Sequence, residues 1–383
     1  MEAEKSKIII EDSVCARMAE FVKPVMYGGH TAIFADSPLE NAVYTSKSSL
    51  LSGGYKVNAL VFDKHMSFAD KLTALKALPE YIRLFIGIGG GEAAELAKII
   101  AGERNASCAV VVAAPSTDSF AFPVTSKGVF SPPAVVLADK SLISTAPARL
   151  VASGVGQIYS SWITLFDLRY AEYLSGADIS ASDNLQRLLT DFDRLPRGSE
   201  FPCRLCECLL RLGAIKNECG ITGAADAAGR ALSESANLYH GEAAFVAAYA
   251  IAFIYRSYLK NTEGAADTLL PSDRIKTRKL LQKKFGINYF TGLTDADFEG
   301  YNTYFKHSFI VGEYRADLLA VTELFNMRER QRSFRRVYDD AGFALKSKLS
   351  VKELLRTVSL SGEIAAGTFL KQIKEIGFLE CCL

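Results

Sequence analysis

The chain has 383 residues, with 44 Lys and Arg against 43 Asp and Glu and a formal net charge of +1. This length exceeds the roughly 100–200 residues of one ordinary domain, so we expect two packed lobes. The near neutrality gives no electrostatic reason to expect nucleic acid or an anionic membrane surface as a partner. The longest apolar stretch, Ala243 to Tyr255, is shorter than the roughly 20 residues that cross a bilayer, and MEAEKSKIII lacks the apolar core of a signal peptide. We therefore expect a cytoplasmic protein without a membrane span.

The first half of the sequence alternates β-rich runs with helical patterns. We predict strands at Thr31–Phe34, Lys56–Phe62, Ile82–Ile86, Ala109–Ala113 and Ala134–Ala138. The last two are continuous apolar runs, which are typical of strands buried on both faces. Helical patterns lie between several strands, at Pro38–Leu51, Phe68–Ala77 and Glu92–Ile100. This alternation predicts an α/β lobe with a parallel, Rossmann-like sheet and right-handed crossovers.

After about Ala146 the helical period dominates. We predict helices at Gln157–Leu174, Ser182–Asp193, Cys203–Leu212, Glu242–Tyr258, Asp273–Phe285 and Tyr314–Arg336. The simplest organisation is an α/β dinucleotide-binding domain over residues 1–148 and an all-α substrate and metal domain over residues 149–383. A cleft between such domains is a preferred place for a ligand.

A glycine-rich turn, GIGGGE at Gly87–Glu92, follows a predicted strand and opens a predicted helix. Glycines let the backbone approach a pyrophosphate closely, and a helix N-terminus offers N–H groups and partial positive charge to an anion. The spacing is neither the G-x-G-x-x-G of the ordinary Rossmann turn nor a P-loop. Glu92 counts against an anion at this point, so a tight turn without a ligand is the alternative.

A second polar turn, Pro115–Ser119, follows the next buried strand. Ligands gather at the carboxyl ends of strands in an open parallel sheet, so both turns are predicted to face one ligand. Ser116 and Thr117 can donate hydrogen bonds to phosphate or carboxamide oxygens, and Asp118 can accept them from hydroxyls. An Asx-turn is the alternative role for Asp118.

Four segments in this order, GIGGGEAAELAK, APSTDSFAFP, AVVLADKSLISTAPARLVASGVGQ and LYHGEAAF, resemble the iron-containing alcohol dehydrogenase, glycerol dehydrogenase and dehydroquinate synthase superfamily. The likeness covers roughly residues 25 to 290 and is greatest to glycerol and glycerol-1-phosphate dehydrogenases. It implies an α/β lobe and a helical lobe, NAD(P) in the cleft, and one divalent metal ion, zinc or iron, beside it.

The resemblance assigns six residues to the cofactor. They are Asp36, Gly89, Gly90, Gly91, Ser116 and Thr117. Asp36 ends the first predicted strand, where a carboxylate accepts both adenosine ribose hydroxyls and repels a 2′-phosphate. The resemblance therefore favours NAD over NADP.

The resemblance also implies catalytic roles for Asp118, which matches the aspartate that contacts the polyol, and for His240, which matches the last metal ligand. The other two positions of the metal set depart from the family. Gln157 stands where the family has an aspartate, and Asp226 is the nearest candidate for the middle histidine. An amide oxygen removes one negative charge from the set and lowers its affinity for a hard cation. Either Gln157, Asp226 and His240 bind a metal ion as an O,O,N set, or no metal binds.

Three functions follow from these features. The first is an NAD(P)-dependent oxidoreductase of a small polyol or polyol phosphate, with an altered metal site and with a homo-oligomer allowed. The second is a nucleotide-binding paralogue that has lost metal-dependent catalysis, motivated by Gln157 and the missing histidine. The third is a cyclase similar to dehydroquinate synthase.

Overall fold

The computed structural model describes residues 6–26, 28–125, 128–130, 132–236, 238–261, 307, 310–324, 330, 332–333 and 368–375. The predicted helix Asp273–Phe285 lies outside the described residues, as do parts of the one predicted at Tyr314–Arg336. Within the described residues, no helix is both long and apolar enough to pass through a bilayer.

The centre of the first lobe is a six-stranded sheet in which every neighbouring pair is parallel. The strands of the described chain are β1 Lys7–Glu11, β2 Gly29–Asp36, β3 Tyr55–Phe62, β4 Leu84–Gly89, β5 Ser107–Val112, β6 Val124–Thr125, β7 Gly128–Val129 and β8 Val135–Asp139. The order in the sheet is β1-β8-β5-β4-β2-β3, while β6 and β7 form a separate antiparallel pair. The predicted parallel α/β lobe is confirmed.

Both faces of the sheet are covered. The helices of this lobe are α1 Met18–Val22, α2 Glu40–Ser52, α3 Phe68–Lys76, α4 Gly91–Glu103 and α5 Lys140–Ile143. Along β2, Phe34 points into one apolar cluster with Phe85 and Ile100, whereas Ile33 points into the opposite cluster with Val43. Because both faces are dry, the strands need apolar residues at successive positions, which explains the continuous runs in the sequence.

The second lobe is helical, as predicted. Its described helices are α6 Ala148–Ser175, α7 Ser180–Asp193, α8 Phe201–Cys219, α9 Ala224–Ala236, α10 His240–Asn261, α11 Arg315–Leu324 and α12 Phe369–Glu375. The long helix α6 is central and is buried over most of its length. It begins directly after Pro147, and the domain boundary at residue 148 stays a prediction.

Main-chain contacts at two glycines join the two lobes, and a third glycine joins two helices of the helical lobe. A Cβ atom on Gly154 of α6 would overlap the carbonyl oxygen of Pro115, and one on Gly213 of α8 would overlap that of Asp118. A Cβ atom on Gly241 of α10 would likewise overlap the carbonyl oxygen of Ser153. Only glycine allows such close approach, so α6 and α8 rest directly on the loop that follows β5.

Seven described elements were not predicted from the sequence, namely β1, β6, β7, α1, α5, α9 and α12. Strand β1 was not predicted, because KIIIE is a short run between charged residues; it is ordered by pairing with β8. Helix α9 was not predicted either, since glycine and serine in AADAAGRALSESA lower its intrinsic helix propensity. Packing against α10 compensates, with Gly229 so close to Ala244 that a Cβ atom there would lie 2.7 Å from its Cα.

Candidate active site at the carboxyl edge of the sheet

Three loops leave the carboxyl edge of the sheet side by side, because β2, β4 and β5 are neighbours. Strand β2 ends at Asp36, β4 ends at Gly89, and β5 leads into the loop with Ser116 and Asp118. The chain passes from β2 to β3 on one side and then to β4 on the other. In parallel sheets, ligands bind at such a reversal of strand order.

The glycine turn packs against the second polar loop. A Cβ atom on Gly90 would lie 3.1 Å from Ser116 Oγ, and one on Gly91 would lie 3.0 Å from Thr117 Cγ2. Gly90 is the N-cap of α4, and no side chain of the described residues caps this helix. Close packing thus requires small residues at the turn, while the first N–H groups of α4 stay open to a ligand.

Beside this turn, Lys71 joins two carboxylates. Its Nζ lies 2.7 Å from Asp36 Oδ1 and 2.6 Å from Glu92 Oε1. Burial favours the neutral amine, but the two carboxylates outweigh it and raise the pKa of Lys71. A shallow open hollow adjoins the group, between the end of β2 and the start of α4. Lys71 therefore offsets the charge of Glu92, which had counted against an anion at the helix start.

Lys98 of α4 holds the chain that follows Asp118. Its Nζ donates to the carbonyl oxygens of Ser119 and Phe122, each at 3.0 Å. The side chain is buried, and this burial lowers the pKa of Lys98 to about 8. The amine fixes the start of the loop against α4.

A second buried lysine, Lys216 of α8, lies at the centre of the candidate site. Its Nζ is 2.6 Å from Asp118 Oδ2 and 2.6 Å from Asp226 Oδ2. Gln157 of α6 donates from Nε2 to Asp226 Oδ1 at 2.7 Å. His240, the first residue of α10, has its Nε2 3.8 Å from the same carboxylate oxygen. Four helices and the loop after β5 each contribute one side chain.

The charges of this cluster are set by burial and by the ion pairs. Burial favours neutral Lys216, but Asp118 and Asp226 outweigh it and raise the pKa of Lys216. Burial also opposes ionisation of Asp226, yet Lys216 and His240 prevail and its pKa is lowered. Burial lowers the pKa of His240, whose side chain is 31% exposed.

One buried oxygen of the cluster, Gln157 Oε1, accepts no hydrogen bond from the described residues. Asp118 Oδ2 lies 2.6 Å from the Lys216 ammonium, which is its donor. A buried acceptor without a donor is unfavourable and marks a place where a hydroxyl group or a water molecule fits.

The cluster does not fit a divalent metal ion. Gln157, Asp226 and His240 do converge, but Gln157 turns its NH₂ group toward Asp226, because a carboxylate can only accept. The Lys216 ammonium contacts the carboxylates that a metal would need. Throughout the part of the chain that the structure describes, no group of three or more His, Cys, Asp or Glu side chains is arranged to hold a metal ion.

A buried ion pair fixes the start of α10. Glu242 is fully buried and accepts from Arg149 Nε at 2.9 Å and from Arg149 Nη2 at 3.0 Å. The same carboxylate accepts from the Tyr239 N–H at 3.0 Å. A glutamate that binds the backbone N–H just before a helix is a common N-terminal cap, and here it positions His240.

Neither Lys71 nor Lys216 belongs to a motif that the sequence predicted to be functional. Lys216 follows Leu212 and Gly213 on the buried side of α8, where a lone lysine interrupts apolar spacing. That interruption was the available signal, because a buried lysine is rare unless it is paired.

The α/β lobe matches a known family model. Residues 9–147 match the model described as iron-containing alcohol dehydrogenase. The glycerol-1-phosphate dehydrogenase [NAD(P)+] of Archaeoglobus fulgidus is 26% identical over 179 residues, which are 45% of this chain and 50% of that protein. The glycerol dehydrogenase of Pseudomonas putida is 27% identical over 260 residues, which are 59% of this chain and 70% of that protein.

Among solved structures, the NADH-dependent butanol dehydrogenase A of Thermotoga maritima aligns over 99% of this chain and 98% of its own, with a TM-score of 0.57 and 16% sequence identity. That likeness shows the fold. The chain spans about half the length of the first curated relatives that it matches. The resemblance to the iron-containing alcohol dehydrogenase superfamily, and the pairing of an α/β lobe with a helical lobe, are confirmed.

Proposed function

We propose that this protein is an NAD(P)-dependent oxidoreductase that acts on a small polyol or polyol phosphate beside Asp118. The observation that carries the proposal is the position of this carboxylate. Its loop packs against the glycine turn on one side, and its side chain reaches the buried Lys216 cluster on the other. The names of the matched relatives, glycerol-1-phosphate dehydrogenase and glycerol dehydrogenase, support the same class of reaction.

The cofactor side of the proposal rests on the hollow between β2 and α4. The open N–H groups at the start of α4 suit a pyrophosphate, and Asp36 suits the adenosine ribose hydroxyls. Since this carboxylate repels a 2′-phosphate, NAD is the preferred form. When bound, the nicotinamide supplies a hydride acceptor.

The substrate side rests on the orphaned acceptor Gln157 Oε1, to which a polyol hydroxyl can donate. A second hydroxyl can donate to the Asp118 carboxylate, which also accepts from Lys216. Oxidation would release a hydride from the carbinol carbon, for which a bound nicotinamide would be the acceptor. The proton of the hydroxyl group would pass to water through the partly exposed His240.

Fluorescence titration with NADH and initial rates test the proposal. The panel is glycerol, glycerol phosphates, dihydroxyacetone and its phosphate, each with NAD and NADP. We expect NADH binding and turnover of at least one of these compounds. Asp118→Asn should lower kcat about 10²-fold or more, with little change in NADH affinity. Asp191→Asn, an exposed carboxylate of α7, is the matched control. Protein that binds no NADH and turns over none of the panel refutes the proposal.

A second candidate is a nucleotide-binding protein without turnover. The contact of Lys216 with both carboxylates favours it, because the cation that the family's chemistry uses is replaced. NADH binding with no turnover of any panel compound would select this candidate over the first.

A further inference from the structure

A positive charge near the oxygen of an alcohol favours removal of a hydride from its carbon. The carbinol oxygen gains negative charge in the transition state, and a Lewis acid or a fixed cationic donor stabilises it. Among the described residues, no metal-type cluster surrounds Asp118. The side chain that brings a cation to this place is Lys216.

Lys216 is enclosed by its partners. Its side chain is 6% exposed, and those of Asp118 and Asp226 are 9% and 6% exposed. An ammonium has three N–H donors, and the two carboxylate contacts account for two of them. The third donor matches a lone pair of a hydroxyl oxygen, and the orphaned acceptor Gln157 Oε1 matches the O–H of an adjacent hydroxyl group.

We propose that the Lys216 ammonium takes the place of a divalent metal ion in this site and holds the reacting oxygen of the substrate. The exclusion of a metal ion stands on the cluster alone. The contact with the reacting oxygen rests on the proposed oxidoreductase function.

A metal ion cannot share the site with this ammonium. A dication between Asp118 and Asp226 would lie within a few ångströms of the Lys216 charge, and repulsion between the two cations is strong where water is excluded. Without Lys216 the same place offers two carboxylates, an imidazole nitrogen and, once turned, an amide oxygen. Such a set suits zinc or manganese.

The metal content of the purified full-length protein tests the exclusion. We expect elemental analysis to find no stoichiometric metal, and neither EDTA nor added Zn²⁺ to shift the melting temperature. Lys216→Ala should bind Zn²⁺ more tightly than the wild type by on the order of 10–100-fold, with a rise in melting temperature on addition of the ion. Lys216→Arg, which keeps the charge, should show no gain. Lys76→Ala removes an exposed lysine paired with Glu103 and is the matched control.

The results separate the two proposals. Stoichiometric metal in the wild type, or no gain of Zn²⁺ affinity in folded Lys216→Ala, overturns the exclusion whatever the activity. If the Lys216→Ala variant does not fold, the Zn²⁺ affinity of Lys216→Met and the metal content of the wild type decide.

For the catalytic part, Lys216→Ala without added metal should lower kcat more than it raises KM, and Lys216→Arg should recover part of kcat. Equal kcat in Lys216→Ala and the wild type overturns it, whereas absence of any turnover in the wild type refutes the oxidoreductase function instead.

Discussion

The molecule contains two sites of the same composition, each a buried lysine between two carboxylates. In the α/β lobe Lys71 joins Asp36 and Glu92, whose side chains are 41% and 48% exposed. In the helical lobe Lys216 joins two carboxylates that are almost fully enclosed. Exposed carboxylates keep most of their hydration, so the Lys71 group can exchange a partner for a ligand. Enclosed carboxylates have lost that hydration, so the Lys216 group depends on its own charge balance.

The difference shows how one kind of ion pair serves two purposes. At the Lys71 group, an approaching phosphate or ribose competes with carboxylates that water already reaches. At the Lys216 group, any new ligand has to fit charges that the protein has fixed. Substitutions at each lysine and at a third buried carboxylate test whether the two groups differ in this way.

Removal of each lysine should affect stability very differently. Lys216→Ala leaves two buried carboxylates without a cation, and we expect a loss of about 3–5 kcal/mol in the free energy of unfolding at neutral pH with EDTA present. Lys71→Ala leaves its carboxylates in water, and about 1 kcal/mol is expected. Urea unfolding followed by circular dichroism measures both. Equal losses would contradict the contrast.

A third buried carboxylate, Asp167 of α6, has hydrogen bonds in place of a cation. It accepts from the Ala224 N–H, the Tyr255 hydroxyl and the Phe369 N–H, yet burial dominates and raises its pKa from 3.8 to about 6. The folded protein therefore holds this proton more tightly than the unfolded chain. The associated stability is present below about pH 4 and is lost as the pH rises through 6.

Asp167→Asn tests that behaviour. We expect the pH dependence of unfolding between pH 4 and 6 to change by on the order of 2–3 kcal/mol relative to the wild type. Urea unfolding at half-unit pH steps measures it, with Asp191→Asn as the exposed control. If the free energy of unfolding changes with pH in the same way in Asp167→Asn and the wild type, the three hydrogen bonds offset the effect of burial and folding does not raise the pKa of Asp167.

Lys71→Met should act on ligand binding more than on stability. It leaves the charge of Glu92 without an offset beside the proposed pyrophosphate position, so NADH affinity should fall about tenfold, or about 1.4 kcal/mol. The loss should shrink at high salt, which screens an exposed carboxylate. NADH fluorescence titrations at two salt concentrations test this. An unchanged affinity would show that NADH does not bind in the hollow beside Lys71.

The smallest effect is expected at the surface. Lys76 and Glu103 form an ion pair at 2.8 Å with side chains 48% and 37% exposed. Lys76→Met should change the free energy of unfolding by less than about 1 kcal/mol. The same urea series measures it and supplies the baseline for the two buried lysines.

The sheet could be predicted because each internal strand shows its own apolar run between turn residues. Strand β1 could not, since its order comes from pairing with β8, far away in the sequence. Helix α9 is held by close packing against α10 more than by its own composition. It also carries Asp226, so the sequence suggested that residue only through an approximate alignment.

The candidate site could also be predicted only in part, because some of its contacts arise from the tertiary structure. Gln157, Asp226 and His240 were grouped by resemblance, and the structure brings them together. Lys216 was missed because family motifs describe metal ligands, and an ammonium is not a ligand. The spacing of α8, α9 and the loop after β5 decides which cation lies between the two carboxylates. That spacing is a property of the tertiary structure.

The close backbone contacts around the Lys216 cluster have a consequence for how this fold can vary. At Gly154 and Gly213 the helices touch the loop after β5 directly, and at Gly241 helix α10 touches α6, so these separations do not depend on any side chain of the cluster. Residues of the cluster can therefore be exchanged while the backbone around them stays in register. Such a frame tolerates a change of electrostatic chemistry that a side-chain-packed junction would not survive.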